Sequence, residues 1–210
     1  MSEVIITTIK PEYAIELEAL QRLCLPTLDE DELLLREHFL KHCELFPEGN
    51  FVAMIDDVIV GLGSGFLTDF DFDNPGHTYM GIIAGGYYTN HDPNGDWYYG
   101  GDISVHPAYR RRGIGGKLYD ARQGIVKHLN KRGIVAGGLI PTYAEYKDEM
   151  TPQEYVEHVI QGKIYGKTLT FQLNNGFEVR GLIEDYIVDE ASDNWSTLIV
   201  WDNPDYTEPE

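Results

Sequence analysis

The sequence predicts an α/β fold, and three observations carry that reading. Short β-branched or apolar runs recur along the chain, segments of helical periodicity separate them, and the best-defined helix opens directly after a strand through a glycine-rich turn.

The first run, 4–9 (VIITTI), is β-branched and ends at Lys10 and Pro11, as a strand does when a proline starts the following helix. From Tyr13 to Leu25 the residues Ile15, Leu17, Leu20, Leu23 and Cys24 approximate helical spacing until Pro26 stops it. Asp29 is expected to cap a second helix reaching about Phe46, with Leu33, Leu34, Phe39, Leu40 and Cys43 on its buried side. Phe51 to Ile55 and Val58 to Leu67 read as strands joined at Asp56 and Asp57, a two-residue connection suited to a hairpin. The stretch from Thr68 to Gly101, rich in Gly, Asp, Asn, Tyr and His, is too irregular for one element, and loops of this length in a compact domain are usually functional.

Asp102 to His106 alternates as a strand that Pro107 ends. From Gly113 onward Ile114, Leu118, Ala121, Ile125 and Leu129 repeat at helical spacing, the clearest amphipathic helix in the chain. Gly133 to Ile140 is wholly apolar, as expected of a strand buried on both faces. Pro141 to Gly166 reads as an inserted helical segment, in which Thr151, Pro152 and Glu154 suit a capping box. A short helix from Thr168 to Asn174 ends at Asn175 and Gly176. Phe177 to Ile183 and Thr197 to Trp201 then close as strands around a polar turn at Asp189 to Asn194. Residues 1–203 are expected to form a single domain, and the acidic tail 204–210 to be disordered.

The 210 residues carry 35 acidic and 16 basic side chains, a formal net charge of −19, which argues against a nucleic-acid partner because a polyanion is repelled almost everywhere. The charge is uneven. Eight of the 16 basic residues lie between Arg110 and Arg132 with only Asp120 against them, so that window is +7 and the remainder −26. No run approaches the roughly 18 apolar residues that span a bilayer. The N-terminus lacks a signal-peptide pattern, so a cytoplasmic protein with no membrane partner is expected. Cys24 and Cys43 sit in helix-like apolar stretches and read as buried free thiols, and no histidines stand in ligand spacing, so no metal site is expected.

The basic window opens on the chemically informative unit, 102–117, DISVHPAYRRRGIGGK. Glycines let backbone approach a ligand closely, and the first amides of a helix are unpaired donors at its positive end. Together with arginines at the rim they make an anion cradle suited to a pyrophosphate. A P-loop is excluded because Arg111 stands where its first glycine belongs and Leu118 follows Lys117. A dinucleotide fingerprint fails because Leu118 stands where its third glycine belongs. The pattern that fits is Arg-x-x-Gly-x-Gly, filled by Arg110, Gly113 and Gly115 after a strand ending Val-His-Pro.

With this motif and this element order the chain resembles the GNAT N-acetyltransferase superfamily, over most of its length. The stretches HDPNGDWYYGGDISVHP and RGIVAGGLIPTYAEY are similar, more narrowly, to acetyltransferase domains that some bacterial proteins carry fused to a nitrilase-type hydrolase. The resemblance implies a mixed, mostly antiparallel central sheet flanked by helices, and acetyl-coenzyme A as cosubstrate. It places the pyrophosphate against the amides of Arg111, Arg112, Gly113, Ile114, Gly115 and Gly116, with Arg110 at the opening position. Ile103, Ser104 and Val105 would lie along the pantetheine arm, with the Val105 amide or a neighbour donating to the thioester oxygen. Gly137 and Gly138 would leave room for that arm between splayed strands.

Transfer to an amine needs a nucleophile without its extra proton, an oxyanion donor and a proton source for the leaving thiolate. The family often places a tyrosine for the last role five residues before the aromatic of the Gly-Phe pair; here that position is Gln172. Expected substitutes are Tyr143 or Tyr146 near the thiol and Glu145 as a base, against a solvated helix face as the alternative. Asp102 is a second candidate base, or a cap for a nearby amide. His91 and Asp92 are candidates for the acceptor pocket, or turn formers. The expected function is N-acetylation of a small-molecule or peptide amine by direct attack in a ternary complex, and the acidic surface suggests a cationic acceptor. The alternatives are an acyl-coenzyme A sensor without turnover and an interaction domain with no cofactor; an oligomer is compatible with all three.

Overall fold

A computed structural model describes residues 3–208. Its first strand, β1 (Ile5–Thr8), leads through a proline-started turn into helix α1 (Ala14–Cys24), and a second helix, α2 (Arg36–Leu45), follows. The hairpin of β2 (Phe51–Ile55) and β3 (Val58–Thr68) turns at Asp56 and Asp57, whose φ angles of 48° and 63° give the left-handed pair that a two-residue hairpin loop requires. A single helical turn, α3 (Tyr79–Ile82), interrupts the long loop before β4 (Trp97–Val105). Then come α4 (Ile114–His128), β5 (Gly133–Leu139), α5 (Pro152–Ile160), α6 (Lys167–Asn174), β6 (Glu178–Ile183) and β7 (Ser196–Asp202).

The strands form a seven-stranded mixed sheet in the order β1-β2-β3-β4-β5-β7-β6. Among the described residues β4 and β5 are its one parallel pair, and every other neighbour is antiparallel. One face packs α1 and α2 over Leu62, Phe66, Tyr99, Val135 and Val200. The other packs α4, α5 and α6 against Tyr98, Ile134, Ala136, Ile199 and Trp201. The alternation along β5 follows the pleat, with Val135 facing one core and Ile134 and Ala136 the other.

Several expectations need correction. The α2 helix starts at Arg36, because Asp29 spends its carboxylate on the Asp31 amide in a separate turn, Glu30–Glu32, and Leu33 leaves that turn extended. The β4 strand starts five residues earlier than its alternation suggests; Gly100 and Gly101 hide the continuity, yet Trp97, Tyr98 and Tyr99 pair with both neighbours. On α4 the deepest line is Ile114, Leu118, Arg122 and Val126, so Ala121, Ile125 and Leu129 are only half-buried. In the C-terminal tail, contacts with the α4–β5 turn extend to Thr207. Asn203 donates to Lys131 and Arg132 carbonyls, Thr207 bonds Asn130, and the Arg132 guanidinium lies 5.3 Å from the Tyr206 ring centre. Residues 209–210 lie outside the described residues. The capping box of α5 is formed, with Glu154 N donating to Thr151 Oγ1 and Thr151 N to Glu154 Oε2. Among the described residues no helix is long and apolar enough to cross a membrane.

Candidate functional site

Pairing between β4 and β5 stops at Tyr99 and Val135, so residues 100–105 of β4 keep β3 on one edge and, among the described residues, have no strand on the other. The orientation of that open edge follows from two bonds. His106 N donates to Val60 O on β3 at 2.9 Å, which turns the Val105 carbonyl the opposite way, where Arg110 Nε donates to it at 3.0 Å. The N–H and C=O of one strand residue point to the same side, so the Val105 amide also faces the open edge. An extended amide-bearing ligand arm can add there as a strand would.

At the end of this edge the chain turns through Pro107–Tyr109 into α4. Arg111 has φ 61° and Gly113 φ 77°, both left-handed, and the non-glycine residue in that region is strained. The first bond within α4 runs from Lys117 N to Gly113 O, so the amides of Ile114, Gly115 and Gly116 stand beyond the ladder. Gly115 packs on Phe171, whose Cζ would lie 2.7 Å from an added Cβ, while Gly116 is nearly open, with Asn175 Oδ1 at 3.8 Å. Arg110, Arg111 and Arg112 are exposed around these donors, and Arg112 lies 5.0 Å over the Tyr109 ring. Anion cradles are built from this combination of free amides and guanidinium groups. His106 accepts from Ala108 N at 3.1 Å and caps the turn.

Asp102 occupies a bulge in β4. Gly63 pairs with Ile103 but Gly65 with Gly100, so Gly101 and Asp102 together oppose Ser64 alone. Arg122, 2% exposed, reaches into the bulge from α4 and donates through Nη2 to the carbonyl oxygens of Ser64 and Asp102. The Asp102 carboxyl faces α1, where Ser104 Oγ donates to Oδ1 at 2.9 Å and Gln21 Nε2 to Oδ2 at 3.3 Å. Burial pushes this carboxyl above the ordinary carboxylate range, against the opposing pull of the Ser104 and Gln21 bonds. Cys24 is half-buried nearby, and burial, helped by the Asp102 charge, pushes its thiol up to about 11. Cys43 is likewise a free, half-buried thiol.

The other expected residues fall elsewhere. Tyr143 is buried against Tyr155 and donates its hydroxyl to Met150 O at 3.0 Å, tying the turn after β5 to the start of α5. Tyr146 packs on the same Tyr155 ring, and Glu145 is exposed. None of the three bonds to the open β4 edge. His91 Nδ1 accepts from Leu67 N at 3.1 Å and its ring stacks 4.7 Å from Phe46; Asp92 accepts from Asn94 N in a turn. Both sit beside the paired start of β4, away from the open edge. Gly137 and Gly138 do leave room, but this chain's own side chains fill it. A Cβ on Gly137 would lie 2.1 Å from Tyr186 Cζ, and one on Gly138 2.6 Å from Thr197 Oγ1 and 2.8 Å from Gln172 Oε1. Gln172 Oε1 is buried without a hydrogen-bond partner.

Sequence reasoning missed Arg122, Gln21 and Tyr186. Arg122 was detectable as a cation on the inner line of an amphipathic helix, and Tyr186 as the first residue of an apolar island, YIV, between acidic residues.

Residues 14–137 match the acetyltransferase (GNAT) family. The chain is 43% identical over 188 residues to the Bacillus subtilis (strain 168) protein named "Probable hydrolase YhcX", a match covering 89% of this chain and 36% of that protein. It is 34% identical over 189 residues to "Uncharacterized N-acetyltransferase YkwB" of the same organism, covering 90% of this chain and 84% of that one. This chain thus spans about a third of the first relative and most of the second. Among solved structures, the GphF GNAT-like decarboxylase in complex with isobutyryl-CoA has a TM-score of 0.81 at 21% identity, over 95% of this chain and 99% of that one. The Salmonella typhimurium protein described as "yncA, a putative acetyltransferase", solved with acetyl-CoA, has a TM-score of 0.60 at 15% identity, over 99% of this chain and 98% of that one. At these identities the likeness is one of fold.

Proposed function

The chain belongs to the acetyltransferase (GNAT) family, and from that premise we propose that it transfers an acetyl group from acetyl-coenzyme A to an amine acceptor in a ternary complex. One observation carries the reading: the unpaired edge at Ile103, Ser104 and Val105 runs directly into free helix amides ringed by three arginines. A pantetheine arm matches the edge, since its amides alternate with short alkyl links. A pyrophosphate matches the cradle formed by 110–116. The Val105 amide, on the open side, is then a donor for the oxyanion that develops as the thioester carbonyl is attacked. The orphaned Gln172 Oε1 supports the fit, because a buried acceptor at Gly138 lacks a donor that a bound arm or thiol supplies.

Of the four residues expected to be catalytic, Asp102 alone lies beside the β4 edge, and both its oxygens are already bonded. It therefore shapes the bulge and the acceptor side. The acidic remainder of the surface favours a cationic acceptor, drawn in by the field and reacting through its minor neutral form.

The test is thiol release from acetyl-coenzyme A over a panel of amines, with a β-carboxylated acyl-coenzyme A in parallel. Acceptor-dependent thiol release supports the reading. Binding without release establishes the sensor, a second reading favoured by Gln172, whose amide is too weak an acid to protonate a thiolate. Carbon dioxide release from the carboxylated substrate reassigns the reaction to the class of the GphF domain.

A further inference from the structure

Tyr186 reaches from the β6–β7 loop onto Gly137, where β5 has left β4, and is 2% exposed. Its hydroxyl lies 3.1 Å from that of Tyr99, the last β4 residue paired with β5, and the Tyr99 hydroxyl lies 2.7 Å from Nε2 of His77. The far end of this chain fixes its direction. His77 Nδ1 lies 2.7 Å from the carbonyl oxygen of Pro75, which only accepts, so Nδ1 carries the ring proton and Nε2 is an acceptor. Tyr99 therefore donates to Nε2, and its oxygen accepts from Tyr186. Every proton points from Gly137 towards His77, and the Tyr186 oxygen, which the Gly137 backbone also faces, has a second acceptor position where β5 has left β4.

The surroundings suit proton exchange. Burial holds His77 below the ordinary imidazole range and both tyrosines above the ordinary phenol range, so the resting chain is neutral throughout. The rings of Phe70, Tyr99 and Tyr186 stand edge-on to His77 at 5.4 to 5.6 Å, and among the described residues no carboxylate pairs with it. Tyr79 from α3 packs against Tyr186, and the charge of Glu32, from the segment before α2, disfavours a phenolate at Tyr186. The Gly137 backbone faces both hydroxyls and opposes their upward shifts. A protonated His77 without a counterion gives its proton back more readily than an ordinary imidazolium.

We propose that Tyr186, Tyr99 and His77 form a proton relay for acyl transfer at this cleft, an inference that rests on the acetyl-transfer reading above. The acceptor nitrogen's lone pair forms the bond to the thioester carbon, and an N–H proton passes to the Tyr186 oxygen. Tyr186 passes its own proton to Tyr99, and Tyr99 passes its proton to His77 Nε2, leaving an imidazolium. When the C–S bond breaks with its electron pair on sulfur, the three transfers run back and deliver that proton to the thiolate. The relay ends as it began, and one chain of groups serves as base and acid where Gln172 serves as neither. Tyr186 is the group that meets the reacting atoms; Tyr99 and His77 act through it as positioning residues.

The test uses the full chain with acetyl-coenzyme A and the best amine of the panel, comparing wild type, Tyr186→Phe and His77→Gln. The phenylalanine keeps the ring over Gly137 and removes only the hydroxyl. Expected is a fall in kcat of about 100-fold in both variants, with KM for acetyl-coenzyme A and its calorimetric affinity within about two-fold of wild type. The acidic limb of the wild-type kcat profile, set by His77, disappears in His77→Gln. Nitrogen-15 NMR of wild-type imidazoles reads the relay without turnover and is expected to show His77 protonated on Nδ1. A wild type that turns over, beside two variants that keep its kcat and pH profile, overturns the relay and leaves the acetyl-transfer reading standing. A proton on Nε2 also overturns it. A wild type that releases no thiol with any acceptor sinks the acetyl-transfer reading, and the relay with it.

Discussion

Arg122 reaches Asp102 through the main chain: its Nη2 donates to the Asp102 carbonyl oxygen, while the carboxyl of the same residue turns away to Ser104 and Gln21. A bulge leaves strand carbonyls without ladder partners, and here a buried guanidinium takes the place of the missing amides. Arg122→Met keeps the packing between Tyr98 and Tyr119 but strands the carbonyls of Ser64 and Asp102. Expected is a loss of about 3 kcal/mol in urea denaturation, net of the desolvation that the charge no longer suffers. A loss below about 1 kcal/mol shows that the carbonyls find other partners.

The buried carboxyl of Asp102 makes stability depend on pH. Its folded-state pKa is raised, while in the unfolded chain it titrates near about 3.9. Between these values the native state holds a proton that the unfolded state has released, so its contribution is full below the unfolded pKa and is lost as pH rises through the folded one. Asp102→Asn removes this slope. The difference in unfolding free energy between variant and wild type should therefore grow in the variant's favour as pH rises from about 4, then level off. A difference that stays constant across that range contradicts the raised carboxyl.

Tyr143 was a candidate contact for the thiol, and its hydroxyl is instead committed to the Met150 carbonyl. Tyr143→Phe is expected to lower stability by about 1 kcal/mol and to leave thiol release unchanged. A selective loss of kcat at unchanged stability returns Tyr143 to the chemistry.

The order of strands and helices was legible because local patterns and tertiary structure agree: VIITTI, the Asp56–Asp57 turn, the α4 stripe and the Thr151–Glu154 cap each signal their own element. The glycine-rich turn into α4 was legible for the same reason, since its arginines and glycines lie in one contiguous run, 110–116. Where sequence reading failed, the cause was a long-range partner. Gly100 and Gly101 look like loop until β3 and β5 pair with the residues before them. Gly137 and Gly138 suggest open space until Tyr186 and Gln172, distant in sequence, arrive from opposite faces of the sheet. The chain from His77 through Tyr99 to Tyr186 joins three segments whose spacing carries no signal at all.

The central claim is that the start of α4 holds the pyrophosphate of acetyl-coenzyme A, and Gly116→Glu tests it most directly. Space for the new side chain is open, with Asn175 Oδ1 at 3.8 Å from its Cβ position. A carboxylate in the first turn also complements the helix dipole, so the variant should melt no lower than wild type. The same carboxylate occupies and repels the anion position. Calorimetric titration with acetyl-coenzyme A is expected to show binding to wild type and a loss of at least about 100-fold in affinity in Gly116→Glu, about 2.7 kcal/mol. Equal affinity in the two proteins, or no binding to wild type, contradicts the assignment.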